Sequence, residues 1–304
     1  MTNDQRPMTN HYNVAGHLFA IEAEEQQLAQ LTNYSPFLSD ETGATYVFTI
    51  HVHCAPMPPA DGWKAIYTDT SDDDMPRIEM YQKEQLWLFR IAVSKEGEIV
   101  STMQCSADWK QVELWAQPEY MRFAVDNAAM LVYAFATVQH QTLLFHSSVT
   151  VRNGVGYMFL GHSGTGKSTH SQQWHKAFAD AQLLNDDNPV VRILPDDSVH
   201  VYGSPWSGKT PCYKNASAPV AALVQLAQAP ENKMARLKMT QAYPYILASV
   251  SGLKILPQMM DQLYESIAKL LEITPVYRLE CLPNPDAARL CAQTCSPSPD
   301  HTDN

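Results

Sequence analysis

A glycine-rich segment in the middle of the chain restricts the possible folds more than any other feature. Gly161-His-Ser-Gly-Thr-Gly-Lys-Ser168 matches the pattern G-x-x-x-x-G-K-[ST] at every fixed position. Its glycines let the backbone turn with N–H groups pointing inward, which makes a concave site for an anion. The apolar residues 157–160 predict a strand before this glycine-rich loop, and residues 167–179 predict a helix whose N-terminal end faces the anion. The segment therefore predicts a phosphate-binding loop.

Two side chains of the glycine-rich loop (residues 161–168) indicate that its ligand is a nucleoside triphosphate with a metal ion. Lys167 can reach the β- and γ-phosphates, and the Ser168 hydroxyl can coordinate Mg²⁺. We therefore predict ATP and Mg²⁺ as cofactors. The predicted nucleotide-binding residues are Gly161, His162, Ser163, Gly164, Thr165, Gly166, Lys167, Ser168 and Thr169.

The segments around the loop predict a mixed sheet. Residues 144–151 and 156–160 read as strands joined by an Asn153-Gly154 turn, and so short a connection permits only antiparallel pairing. Residues 190–194 and 199–202 predict a second hairpin. Between the hairpins, the strand at 182–185 ends in Asp186-Asp187, at the edge where ligands of such sheets bind.

The period of the apolar residues divides the chain into two predicted domains and a tail. Residues 1–117 alternate apolar and polar side chains at 46–54, 86–93, 99–105 and 112–116, which predicts an antiparallel β-rich domain. Residues 118–295 mix strands with helices at 121–139, 259–272 and 285–295, which predicts an α/β or α+β nucleotide-binding domain with a mixed parallel and antiparallel sheet. The polar, proline-rich residues 296–304 predict a disordered tail.

Composition and charge exclude several classes of partner. The 304 residues include 21 Lys and Arg against 32 Asp and Glu, a formal net charge of −11. Binding to nucleic acid or to an anionic membrane surface needs a basic patch, so we expect neither partner. The six cysteines form no C-x-x-C pair, and we find no apolar run long enough to span a bilayer. These features predict a cytoplasmic protein.

Three motifs together resemble the catalytic domain of the HPr kinase/phosphorylase family. They are Phe145-His-Ser-Ser-Val149, the run from Phe159 through the glycine-rich loop to Thr169, and Leu183-Leu-Asn-Asp-Asp187. The resemblance covers roughly residues 140–290. It implies a fold shared with ATP-dependent phosphoenolpyruvate carboxykinase, and a kinase that transfers phosphate to a hydroxyl of a protein serine or of a small molecule. It also suggests a homo-oligomer by analogy.

The resemblance implies roles for three further residues. His146 would lie on the strand beside the loop. One of Asp186 and Asp187 would be the base for the acceptor hydroxyl, and the other would help to hold Mg²⁺. The sequence leaves their assignment open, and the candidate metal ligands are Ser168 and Asp187.

The chain also departs from the family pattern. Thr169 stands where HPr kinase has a glutamate, and residues 203–209 lack its glycine-rich signature, so HPr itself is not the expected substrate. Lys209 and Arg236 are candidates for contacts with the substrate or the transferred phosphate. Two alternatives stay open: a non-catalytic ATP-binding regulatory or accessory module, and a carboxykinase-type enzyme.

Overall fold

The chain divides into two compact units, Met1–Thr137 and Val138–Asn304. The structure, a computed structural model, describes residues 7–41, 45–68, 76–208, 210–251 and 256–295. The predicted tail at 296–304 lies outside these ranges, and so does Lys209. No helix within the described ranges is long and apolar enough to cross a bilayer.

The first unit is built on one eight-stranded sheet. Its strands are β1 (Met8–Val14), β2 (His17–Ala23), β3 (Thr49–His53), β4 (Lys64–Thr68), β5 (Arg77–Lys83), β6 (Leu86–Ala92), β7 (Ile99–Cys105) and β8 (Gln111–Ala116), and its helices are α1 (Glu25–Leu28) and α2 (Met121–Thr137). The strand order is β1-β2-β3-β8-β7-β6-β5-β4. The prediction of an antiparallel β-rich unit is wrong at one strand, because β3 pairs in parallel with both β2 and β8. The long connection from β2 to β3 makes the first parallel pairing possible.

The division between the units lies after α2, beyond the predicted boundary at residue 117. Two aromatic residues of α2 explain the difference. The Tyr133 hydroxyl donates a hydrogen bond to Val14 O at 2.9 Å, and the Phe135 ring lies 4.5 Å from the Trp109 ring, centre to centre. Helix α2 therefore packs into the core of the first unit, a non-local contact that its own sequence does not reveal.

The second unit combines a nine-stranded sheet with four helices. The strands are β9 (Thr142–Leu144), β10 (Ser147–Arg152), β11 (Val155–Leu160), β12 (Gln182–Asp187), β13 (Val190–Ile193), β14 (Val199–Tyr202), β15 (Ser217–Gln228), β16 (Lys233–Arg236) and β17 (Val276–Cys281). The helices are α3 (Lys167–Ala177), α4 (Met239–Ser249), α5 (Pro257–Ile273) and α6 (Pro285–Cys295). The protein is thus mixed α/β with two mixed sheets.

The pairing of the strands confirms both predicted hairpins. Strands β10 and β11 are antiparallel, as are β13 and β14, whereas β15 runs parallel to β11 and to β17. The strand predicted over 144–151 is interrupted at Phe145 and His146. The interruption lets β9 pair with β13 while β10 pairs with β11 and β12.

Helices cover both faces of the sheet at β11, the strand that leads into the glycine-rich loop. Met158 and Leu160 share one apolar cluster with α4 and α5, while Tyr157 and Phe159 share another with α3 and α6. Burial on both faces explains why this strand is an unbroken apolar run. The loop that follows is consequently attached to a rigid, fully packed strand.

Candidate functional site

The glycine-rich loop connects β11 to α3, and its backbone requires glycine. Gly161, Gly164 and Gly166 have φ angles of +154°, +77° and +106°, values that residues with a Cβ rarely adopt. A Cβ at Gly161 would also lie 2.9 Å from the Thr165 side chain. The glycines of the motif therefore serve the turn that the sequence predicted for them.

Lys167 begins α3 and turns its ammonium back over the loop. Its Nζ donates to Gly161 O at 2.8 Å and to His162 O at 3.4 Å. Burial lowers the pKa of Lys167, while the carboxylates of Asp187 and Asp186 oppose that effect. Both acidic side chains are therefore close enough to interact electrostatically with the loop lysine.

Strand β10 places the loop and the acidic pair at one edge of the sheet. Its first residue, Ser147, pairs with Leu160 of β11 on one side and with Asp187 of β12 on the other. The Ser168 hydroxyl donates to Asp186 Oδ1 at 2.9 Å. The candidate metal ligand beside Ser168 is therefore Asp186, whereas Asp187 was the candidate drawn from the sequence.

Asp187 has surroundings unlike those of its neighbour. Its Oδ1 lies 3.4 Å from His146 Nε2, and its Oδ2 accepts a hydrogen bond of 2.9 Å from the Asn188 side chain. Burial raises the pKa of Asp187 to about 6, and Asp186 adds to the rise, while Lys167 opposes it. A half-buried carboxylate of this kind is suited to accept a proton near neutral pH.

The structure brings His146, Asp186, Asp187 and the loop residues to one edge, but it places Arg236 elsewhere. Arg236 lies on β16, and the strands β15 and β17 separate β16 from β11. At about 4.8 Å per strand, that is roughly 14 Å from the strand that carries the loop. Arg236 instead lines a cavity of about 360 Å³ together with Lys238, Leu271 and Val276.

A segment that the motifs did not identify packs against the acidic pair. Residues 203–214, which we call the strap, follow β14, and all but residue 209 are described. Gly208 N donates to Asp186 O at 2.7 Å, and Ser207 forms an antiparallel bridge with Asp187. The glycine, proline and serine content of residues 203–208 marked this part of the strap in the sequence as a loop, and Lys209 was its candidate for a contact with the substrate or the transferred phosphate. Its contacts with β12 could not be predicted because they join residues far apart in the chain.

The donors at this edge fit Mg²⁺ bound together with a nucleotide. Within the described ranges, no group of three or more His, Cys, Asp or Glu side chains is placed to hold a metal ion. Mg²⁺ needs no such group, since it is usually held by one or two protein oxygens, phosphate oxygens and water. The Ser168 hydroxyl and the Asp186 carboxylate supply two such oxygens next to the loop.

Comparison with known proteins gives weak structural likeness alone. No protein-family model matches this chain, and no curated protein matches it. Among solved structures, it is similar to the HPr(Ser) kinase/phosphatase from Coxiella burnetii, with a TM-score of 0.29 and 10% sequence identity. The alignment covers 50% of this chain and 91% of that one. A TM-score at this level identifies neither the fold family nor the activity of the chain.

Proposed function

We propose that the second unit binds Mg²⁺-ATP at the glycine-rich loop and transfers the γ-phosphate to a hydroxyl group, as an HPr-kinase-like kinase. The acceptor is a protein serine or a small molecule. The observation that carries the proposal is the contact between Ser168 and Asp186 at the end of the loop, with the second carboxylate, that of Asp187, next to it. In this proposal, oxygen ligands for a metal, a phosphate-binding loop and a base would share one edge of a sheet.

The residues of the loop would bind the phosphates. Backbone N–H groups between Gly161 and Ser168 would bind the phosphate oxygens, and Lys167, whose ammonium lies over the same loop, would add a positive charge. Helix α3 directs the positive end of its dipole at this point. Ser168 and Asp186 would hold Mg²⁺, which, when bound, neutralises charge on the phosphate oxygens.

Asp187 would act as the base. As the acceptor oxygen bonds to phosphorus and the bond to the leaving ADP oxygen breaks, the proton of the hydroxyl moves to the Asp187 carboxylate. His146, 3.4 Å from that carboxylate, would keep it oriented. The reaction needs no covalent intermediate with the protein, because alignment and charge stabilisation supply most of the catalysis of phosphoryl transfer.

ATP turnover with Mg²⁺ and a panel of hydroxyl acceptors tests the proposal. The wild type should form ADP and a phosphorylated acceptor, and Asp187→Asn should lose most of the turnover while it still binds nucleotide. Asp196→Asn, in the exposed turn between β13 and β14, is the matched control and should leave turnover unchanged.

Two other results would indicate that the protein is not a kinase. Nucleotide binding without turnover on any acceptor would indicate a non-catalytic binding module. Manganese-dependent consumption of oxaloacetate would indicate a carboxykinase-type enzyme.

A further inference from the structure

Asp187 has a backbone conformation that residues with a Cβ rarely adopt. Its φ is +151°, in the region that favours glycine, and such strain persists only where neighbouring contacts enforce it. We propose that the strap is a clamp that holds Asp187 in this conformation, and that Ser204 and Gly208 are positioning residues for its carboxylate. The inference extends the proposed function, in which Asp187 is the base.

The strap fixes the peptide group that precedes Asp187. Gly208 N donates to Asp186 O at 2.7 Å, and Ser207 lies opposite Asp187 in the antiparallel bridge. A Cβ at Gly208 would lie 3.1 Å from both Asp186 O and Asp187 Cβ, closer than ordinary van der Waals contact. Glycine at this position therefore lets the two backbones approach closely enough for the bond to form.

The strap also binds the chain just after Asp187, at the peptide group between Asn188 and Pro189. The buried Ser204 hydroxyl donates to Asn188 O at 2.5 Å, and the buried Asn185 amide donates to Ser204 Oγ at 3.1 Å. Further along the strap, Cys212 Sγ donates a hydrogen bond to Leu184 O at 3.3 Å, and Lys214 Nζ donates one to Leu183 O at 2.6 Å. Asp187 is thus held on both sides by a segment that is itself anchored along β12.

The clamp holds one of two neighbouring carboxylates that have different partners. The Asp186 carboxylate accepts a hydrogen bond from Ser168, whereas the Asp187 carboxylate lies beside His146. Because the φ angle of Asp187 departs from that of a regular strand, the backbone contacts with the strap help to determine where its carboxylate lies.

A thermal unfolding cycle on the full chain tests the clamp without any assumption about activity. Asp187→Gly removes the strain, so it should raise Tm by about 2–4 °C more than Asp187→Asn, which removes the charge but keeps the Cβ. In a Ser204→Ala background, where the clamp is loosened, this difference should shrink to less than half. Ser198→Ala, in the turn between β13 and β14, should leave the difference unchanged.

Two outcomes of the cycle would overturn the clamp: no difference between glycine and asparagine in the wild-type background, or the same difference in all three backgrounds. If Ser204→Ala does not fold, Gly208→Ala replaces it, because the added Cβ displaces the strap from Asp187.

Steady-state kinetics separates the clamp from the proposed function. Ser204→Ala should lower kcat by about tenfold to a hundredfold with the KM for ATP unchanged, because the displaced group is the base rather than the loop. Unchanged kcat would show that the clamp does not position the base. If the wild type shows no turnover, the kinase proposal fails, while the unfolding cycle still decides whether the strap strains Asp187.

Discussion

At the scale of single residues, two consecutive aspartates with the same chemistry have different surroundings. Asp186 is buried and accepts a hydrogen bond from Ser168, whereas Asp187 is half-buried beside His146. The sequence could place both at the end of a strand near the loop. It could not divide their roles, because the division depends on the turn at Asp187 and on contacts with residues distant in the chain.

This division predicts different effects on ATP affinity for two matched substitutions. Asp186→Asn removes a charged oxygen beside Ser168, so the affinity for ATP in the presence of Mg²⁺ should fall at least about tenfold. Asp187→Asn should leave that affinity near the wild-type value. Calorimetric titration of ATP with and without Mg²⁺ measures both variants. Equal affinities for the wild type and Asp186→Asn would remove this residue from the metal site.

A second prediction at this scale concerns the first unit. Burial raises the pKa of Asp126 from 3.8 to about 6, although Asn33 donates to its carboxylate at 2.8 Å. Between these pH values the folded state holds a proton that the unfolded state has lost. As pH rises from about 4 to 6, the wild type should therefore lose up to about 3 kcal/mol of unfolding free energy relative to Asp126→Asn.

Urea unfolding across this pH range measures the difference. Asp108→Asn is the control: the hydrogen bond from Ser106 lowers the pKa of Asp108, so its effect on unfolding free energy should stay nearly constant over this pH range. If the unfolding free energies of the wild type and Asp126→Asn differ by the same amount at every pH, the raised pKa of Asp126 is contradicted.

At the scale of elements, local periodicity predicted what local residues determine. The strands around both hairpins and the helices α3, α5 and α6 lie where their apolar patterns and turn residues placed them. Helix α4 was missed because Pro244 interrupts its pattern, and β16 was missed because its four residues are short of apolar side chains. The contacts of the strap were not predicted for another reason: they depend on β12 rather than on the strap's own sequence.

A buried aromatic residue helps to hold the helix that follows the loop. Trp174 of α3 is fully buried, and its ring lies 4.6 Å from that of Tyr157 on β11. Trp174→Ala should cost about 3–5 kcal/mol of unfolding free energy and weaken nucleotide binding, because the start of α3 carries Lys167 and Ser168. Chemical denaturation compares it with Gln172→Ala, on the exposed face of the same helix. Similar losses for both variants would contradict this role.

At the scale of the whole molecule, every described residue of the site belongs to the second unit, which has its own core on both faces of the sheet. The sequence predicted two domains but placed α2 in the wrong one. A fragment beginning at Pro118 would expose the apolar face of α2, whereas one beginning at Val138 begins at a buried residue of the second core.

We therefore expect the fragment of residues 138–304 to fold and to bind Mg²⁺-ATP. Circular dichroism measures the folding of the fragment, and titration with nucleotide measures its affinity. If the two units act independently, this affinity should lie within about threefold of that of the full chain. A folded fragment without affinity for nucleotide would show that the first unit contributes to the site.

The central claim is that the glycine-rich loop binds a nucleoside triphosphate. Thermal unfolding with Mg²⁺-ATP tests this claim most directly. At a hundredfold excess over Kd, binding adds about 2.7 kcal/mol, which should raise Tm by roughly 5–10 °C. Lys167→Ala should lose most of this shift, and more for ATP than for AMP, because in the proposed site Lys167 would bind the β- and γ-phosphates. Lys176→Ala, on the exposed last turn of α3, should keep it. If no nucleotide changes the Tm of the wild type, the central claim is contradicted.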